Sequence, residues 1–306
     1  MTTRQFGRVL TAMATPFDAR GEHVDMRAAE ALMVALLESG SDGVVIAGTT
    51  GEAPTLSTRE KLDLFEMAVH VVKGRGGQVI AGTTNYNTAE SIEFSGEVAR
   101  LGVDGILGTV PYYNNPPQEG LYAHFSAIAS AVDGLPMLLY NVPSRTVRNM
   151  EAATTLRLAR DVRNIVGIKE ASGNLTQIGE VIAGAPEHFG VWSGNDADLL
   201  PILALGGYGV VSVASHLVGT QLAALIRLHQ EGDTVGAADI HHALMPLVNA
   251  LFATSNPIPL KYALNKIGMR VGPTRLPLVP IDPKSQVIMD AALANIRVDL
   301  PVKVPA

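Results

Sequence analysis

Cysteine is absent from this 306-residue chain. Its absence excludes disulfides, thiol catalysis, iron–sulfur clusters and cysteine-ligated zinc, and it fits a reducing cytosol. Charge is scarce too, with 17% of residues charged against 47% hydrophobic. A surface that poor in charge suits a homo-oligomer that hides part of it. Basic residues gather nowhere and the formal net charge is -6, so nucleic acid is not an expected partner. No apolar run approaches the roughly 20 residues that span a bilayer, so no membrane association is expected. Residues 1–7 carry no apolar signal core, and the chain reads as cytoplasmic. No Gly-x-Gly-x-x-Gly follows a strand-like run. Lys73-Gly74-Arg75-Gly76-Gly77 joins a helix to a strand, so it reads as a turn and not as a phosphate cradle.

What is present is alternation. Short runs rich in β-branched residues predict strands at 9–14, 43–47, 78–82, 105–110, 137–140, 165–169, 190–193 and 209–213. Amphipathic stretches predict helices at 26–39, 59–73, 89–101, 120–132, 150–160, 175–183 and 197–205. Strands that are apolar almost throughout are buried on both faces, which calls for a parallel sheet covered by helices. Eight such units suit an α/β fold closed as a (β/α)8 TIM barrel, with an open doubly wound sheet as the competing arrangement. After residue 213 helix follows helix, at 220–230, 235–252, 259–267 and 285–296, with a proline-rich stretch at 273–283. The expected domains are a catalytic barrel over 1–215 and a C-terminal helical region over 216–306.

In such a barrel the carboxyl ends of the strands carry the chemistry. Lys169 closes the apolar run Asn164-Ile165-Val166-Gly167-Ile168 and stands before Glu170-Ala171-Ser172-Gly173. A buried lysine is costly unless paired or neutral, and a neutral amine is a nucleophile for ketones. Taken alone, a lysine at a strand tip more often snorkels to solvent. The neighbouring ends carry Gly48-Thr49-Thr50-Gly51-Glu52, Pro111-Tyr112-Tyr113-Asn114, Tyr140-Asn141-Val142-Pro143-Ser144-Arg145-Thr146 and Trp192-Ser193-Gly194-Asn195-Asp196. The Gly-Thr-Thr-Gly turn offers N–H groups and hydroxyls to a carboxylate or oxyanion. The Tyr140 phenol beside an amine can relay protons, and Arg145 can fork onto a carboxylate. Each also has an ordinary reading, as a turn, a core aromatic with a wet tip or a surface ion pair. Glu170 alternates away from Lys169 and reads as structural, and Trp192 reads as packing. His241 and His242 lack a third ligand in spacing. No tight His, Asp and Glu cluster forms at this rim, so no metal is expected.

Together these segments resemble the dihydrodipicolinate synthase / N-acetylneuraminate lyase family of class I pyruvate aldolases. The resemblance runs from Thr15-Pro16-Phe17 to Asn256-Pro257-Ile258-Pro259-Leu260-Lys261. It implies that Lys169 forms an imine with pyruvate, and that the derived enamine attacks an aldehyde. It further implies proton transfer by Thr50, Tyr140 and Tyr113, with Tyr113 reaching in from a neighbouring subunit. Thr49 and the N–H groups of its turn would hold the pyruvate carboxylate, while Gly194 and Val211 would line the pocket with backbone groups. No cofactor is implied. Arg145 in Pro-Ser-Arg-Thr resembles the synthase branch, whose second substrate is L-aspartate 4-semialdehyde and whose product enters diaminopimelate and lysine biosynthesis. The family also implies a tetramer of two tight dimers, or a dimer. Feedback-sensitive members resemble one another in carrying histidines where this chain has Thr58 and Lys61, with Glu90 and Tyr112 retained. Weak or absent inhibition by L-lysine follows. Asn195 stands where an acidic residue is common. Two other readings stay open: a related pyruvate lyase acting on a sugar-acid or hydroxy-oxo-acid aldehyde, and a non-catalytic small-molecule-binding barrel.

Overall fold

The computed structural model describes residues 4–132 and 134–302. Residues 1–3, in the predicted N-terminus, and 303–306, in the predicted helical region, lie outside the described residues, as does residue 133. Eight strands, β1 (Val9–Ala12), β2 (Gly43–Ile46), β3 (Gln78–Gly82), β4 (Gly105–Thr109), β5 (Met137–Asn141), β6 (Ile165–Glu170), β7 (Gly190–Ser193) and β8 (Gly209–Ser212), pair in parallel and in sequence order. Strand β8 closes onto β1, with Leu10 opposite Val211. The predicted barrel is the observed fold, and the open sheet is ruled out.

The strands form because their residues are buried on both faces, and Val, Ile and Leu suit that environment. Inward side chains such as Leu10, Val45, Ile80, Leu107, Leu138 and Trp192 fill the barrel interior. The Trp192 indole donates to the Gly7 carbonyl at 2.8 Å, and its ring meets that of Tyr208 edge-on at 5.1 Å. These contacts leave Trp192 as the packing residue that its sequence context predicts.

Helices α1 (Met26–Glu38), α2 (Thr58–Ala68), α3 (Thr88–Ala99), α4 (Gln118–Ala131), α5 (Pro143–Thr146), α6 (Ala152–Asp161), α7 (Leu175–Gly184) and α8 (Leu199–Ala204) cover the barrel. Their starts carry local signals: Ser57 and Glu60 form a reciprocal capping box for α2, and Asn87 caps α3. Beyond β8 come α9 (Ser215–Glu231), α10 (Thr234–Leu251), α11 (Ile258–Lys266) and α12 (Pro283–Ala294). Among the described residues no helix is long and apolar enough to cross a membrane.

Several boundaries differ from expectation for identifiable reasons. Strand β2 stops at Ile46 because Ala47 turns left-handed, with φ 54. The helix predicted at 59–73 changes to a π-helical turn over Val69–Lys73. Pro143–Thr146, which carries Arg145 just beyond β5, is a helical turn. Helix α9 begins at Ser215, earlier than expected, and kinks at Val218. The kink brings Gly219 against the end of α1, where an added Cβ would meet the Ser39 carbonyl at 2.4 Å.

Candidate active site

Alternation along β6 turns Lys169 inward and its neighbours Ile168 and Glu170 outward. In register, Lys169 lies between Tyr140 of β5 and Trp192 of β7. It is buried at 5% exposure, with Nζ 4.2 Å from the centre of the Tyr140 ring. That contact sets the Lys169 amino group against a π face and beside a phenol. Gly194 makes room on the other side, since an added Cβ would lie 3.1 Å from Lys169 Cγ. Val211 packs in the same interior cluster as Tyr140 and Ala171.

The outer face locks the same two strands. Asn141 Nδ2 donates to both Glu170 oxygens, at 3.1 and 3.2 Å, and Met150 N donates to Asn141 Oδ1 at 3.0 Å. Burial pushes the Glu170 carboxyl above its ordinary range, opposed first by the Asn141 amide. Glu170 therefore fixes the strand end that carries Lys169.

The Thr49–Thr50 turn is bounded by two non-glycine residues in the left-handed region, Ala47 and Glu52, both with φ 54. Ala53 N donates to Gly48 O at 3.2 Å, and the Thr15 hydroxyl donates to Gly51 O at 2.7 Å. Thr50 is buried and its Oγ1 accepts from Asn256 Nδ2 at 2.9 Å. Thr49 faces a cavity of about 960 Å³ whose wall also includes Val142, Arg145, Asn256, Lys61 and Glu90. Arg145 reaches this wall from α5. Lys169, Tyr140 and Thr50 are buried and are not part of the wall.

Tyr113 is not brought to the other residues. Its left-handed φ of 70 turns it out, and it is 93% exposed. Its neighbour Tyr112 lines the cavity instead and meets the Tyr86 ring edge-on at 5.1 Å.

Two polar residues at the site carried no role in the sequence reading. Asn256 contacts Thr50 from the loop before α11, and its Oδ1 is buried without a protein partner. Asp196 is buried at the end of β7, where it accepts from the Ser212 hydroxyl and from the N–H groups of Val213 and Ala214, each at 3.1 Å. Burial raises its carboxyl pKa, while these donors and the Lys169 charge oppose the rise. The signal for Asp196 was its place after Trp192-Ser193-Gly194-Asn195 at a strand end. Asn256 had only the Asn-Pro motif.

The sequence profile of the dihydrodipicolinate synthetase family matches residues 5–296. The chain belongs to that family. Within it, the chain is 56% identical over 292 residues to the 4-hydroxy-tetrahydrodipicolinate synthase of Symbiobacterium thermophilum, covering 95% of this chain and 98% of that one. The enzyme of the same name from Bacillus subtilis is 50% identical over 291 residues, covering 95% and 99%. The crystal structure of the dihydrodipicolinate synthase of Cyanidioschyzon merolae with lysine bound superposes with a TM-score of 0.95 at 46% identity, covering 96% of this chain and 99% of that one. Membership in the dihydrodipicolinate synthetase family agrees with the resemblance carried by the strand-end segments.

Proposed function

We propose that this chain joins pyruvate to L-aspartate 4-semialdehyde, giving 4-hydroxy-tetrahydrodipicolinate for diaminopimelate and lysine biosynthesis. The observation that carries the reading is Lys169, a buried amine at the carboxyl end of β6 set against Tyr140. Relatives at 50% and 56% identity bear the corresponding enzyme name.

Lys169 Nζ attacks the keto carbon of pyruvate, and loss of water leaves an imine. The imine draws electrons from the adjacent methyl group, a methyl proton leaves, and an enamine forms. The enamine carbon attacks the aldehyde carbon of the second substrate, whose oxygen takes up a proton to become a hydroxyl. The second substrate's own amine then adds to the imine carbon, the ring closes and Lys169 leaves as a free amine. Water is lost once over the cycle, no net oxidation occurs, and none of these steps calls for a cofactor.

Thr50, Tyr140 and Tyr113 move the protons in this reading. Because Thr50 Oγ1 already accepts from Asn256, its own O–H stays available as a donor. Thr49 and the N–H groups of its turn hold the pyruvate carboxylate, and backbone groups of Gly194 and Val211 line the pyruvate pocket beside Lys169. The exposed Tyr113 serves the site of a second copy, in a dimer or in a tetramer of dimers. The cysteine-free chain suits the cytoplasm.

Arg145 decides the acceptor. Its guanidinium suits the second substrate's carboxylate. Arg145→Ala is expected to lower kcat/KM for the aldehyde roughly 10- to 100-fold, the worth of a charge-assisted hydrogen bond. Borohydride trapping of pyruvate should persist in the same variant. An unchanged kcat/KM would shift the acceptor to an aldehyde that lacks this carboxylate, as in the related pyruvate lyases.

Thr58, Lys61, Glu90 and Tyr112 share one cavity. Burial lowers the Lys61 pKa, yet an ammonium there opposes a second cation. Inhibition of turnover by L-lysine should therefore be weak or absent, and inhibition at low micromolar lysine would contradict this.

A further inference from the structure

The Thr49–Thr50 turn is held from two hundred residues away. Glu52, which closes the turn, sits in the left-handed region with φ 54 and ψ 37, a conformation that persists in a non-glycine residue only when its surroundings impose it. Around it stands a polar cluster supplied by the C-terminal region and buried at its centre. Lys261 Nζ on α11 donates to Glu52 Oε1 at 2.7 Å, with side-chain exposures of 2% and 0%. Arg275 N donates to Glu52 Oε2 at 2.9 Å, so both carboxylate oxygens are engaged. Lys261 also donates to Pro273 O at 2.7 Å. The Lys261 ammonium and the Arg275 guanidinium each lie over the Phe17 ring, 4.0 and 4.1 Å from its centre. Arg275 further binds the carbonyl of Thr55 at 2.9 Å and the Glu60 carboxylate at 2.6 Å, which pins the chain just beyond the turn. The same start of α11 sends Asn256 to Thr50.

The cluster touches neither Lys169 nor the cavity-facing Arg145, and a buried ion pair is a poor source of stability compared with apolar packing. Its geometry points to a different use. We infer that Glu52, gripped by Lys261 and Arg275, is a positioning residue that sets the Thr49–Thr50 turn, so that the C-terminal helical region is part of the catalytic machinery. The inference rests on the Schiff-base reading, in which that turn holds the pyruvate carboxylate and Thr50 moves a proton.

The test needs no aldehyde. Enamine formation exchanges the pyruvate methyl protons with deuterium in heavy water, which proton NMR follows directly. Borohydride trapping on Lys169 counts the competent sites. The variants are Glu52→Gln and the paired Glu52→Gln/Lys261→Met, which removes both buried charges together and leaves neither stranded. Both variants should trap pyruvate on Lys169, yet exchange per trapped site should fall on the order of 10-fold or more, as expected when a proton-transfer group is misplaced. A purely structural brace would lower the number of trapped sites and leave the exchange rate per site unchanged. Parental exchange per site in the paired variant therefore overturns the inference. Absence of both trapping and exchange in the unaltered protein is a separate result, which refutes the Schiff-base reading and this inference with it.

Discussion

Lys169 and Glu170 are adjacent in the chain and have opposite duties. Alternation sends the first into the barrel beside Tyr140 and the second outward to Asn141. That division was legible in the sequence, because a charged pair closing an apolar strand can place only one member on each face. His216 was not legible. It accepts from Ala14 N through Nε2 at 3.1 Å and donates through Nδ1 to Val213 O at 2.9 Å, tying the ends of β1 and β8 as a neutral ring. Burial lowers its pKa from 6.5 to about 4. The unfolded chain gains a proton there below pH 6.5 and the folded chain only near 4. Its contribution is therefore full above 6.5 and is lost as pH falls through that window. Between pH 7 and pH 5 this group should remove roughly 2 kcal/mol of stability. Urea unfolding at the two pH values, compared with His216→Gln, checks it: the variant should show a correspondingly smaller loss. Asn256 and Lys261 escaped the sequence reading for a related reason. Their partners Thr50 and Glu52 lie 206 and 209 positions away, and no local pattern encodes such pairs.

Elements were easier to read than their ends. Eight apolar runs predicted eight strands because a strand buried on both faces has no polar side to show. The ends depend on turn geometry that neighbouring strands impose. Ala47 is the clearest case: it is apolar and reads as strand, yet it turns left-handed where Gly82 of β3 lets its carbonyl approach. A Cβ at position 82 would stand 2.2 Å from Ala47 O, so the two backbones could no longer meet. Gly82→Ala should cost on the order of 1–3 kcal/mol of stability as overpacking. It should also displace the Thr49–Thr50 turn and lower turnover. Thermal unfolding and steady-state rates on the same preparation check both effects, and parental values for both would show that the turn tolerates the shift. The helical turn at Pro-Ser-Arg-Thr is hidden in the sequence because four residues are too few to show helical periodicity, although proline at its first position is a helix-start signal.

At the scale of the molecule, one chain supplies Lys169, Tyr140, Thr50 and Arg145 but leaves Tyr113 in solvent. In the proposed reading Tyr113 serves a partner's site, which makes activity a property of the assembly. Mixing Tyr113→Phe chains with Lys169→Ala chains, each inactive alone, should then restore activity. Random pairing makes half the dimers mixed, each with one intact site, so roughly a quarter of parental turnover is expected. No recovery after subunit exchange would place Tyr113 outside the reaction. The most direct measurement is steady-state turnover of pyruvate with L-aspartate 4-semialdehyde, coupled to NADPH-dependent reduction of the product, with borohydride trapping run beside it. The unaltered protein should turn over and carry the pyruvate adduct on Lys169, and Lys169→Ala should do neither. Turnover that survives in Lys169→Ala, or an adduct on another lysine, would contradict the assignment of Lys169 as the Schiff-base residue.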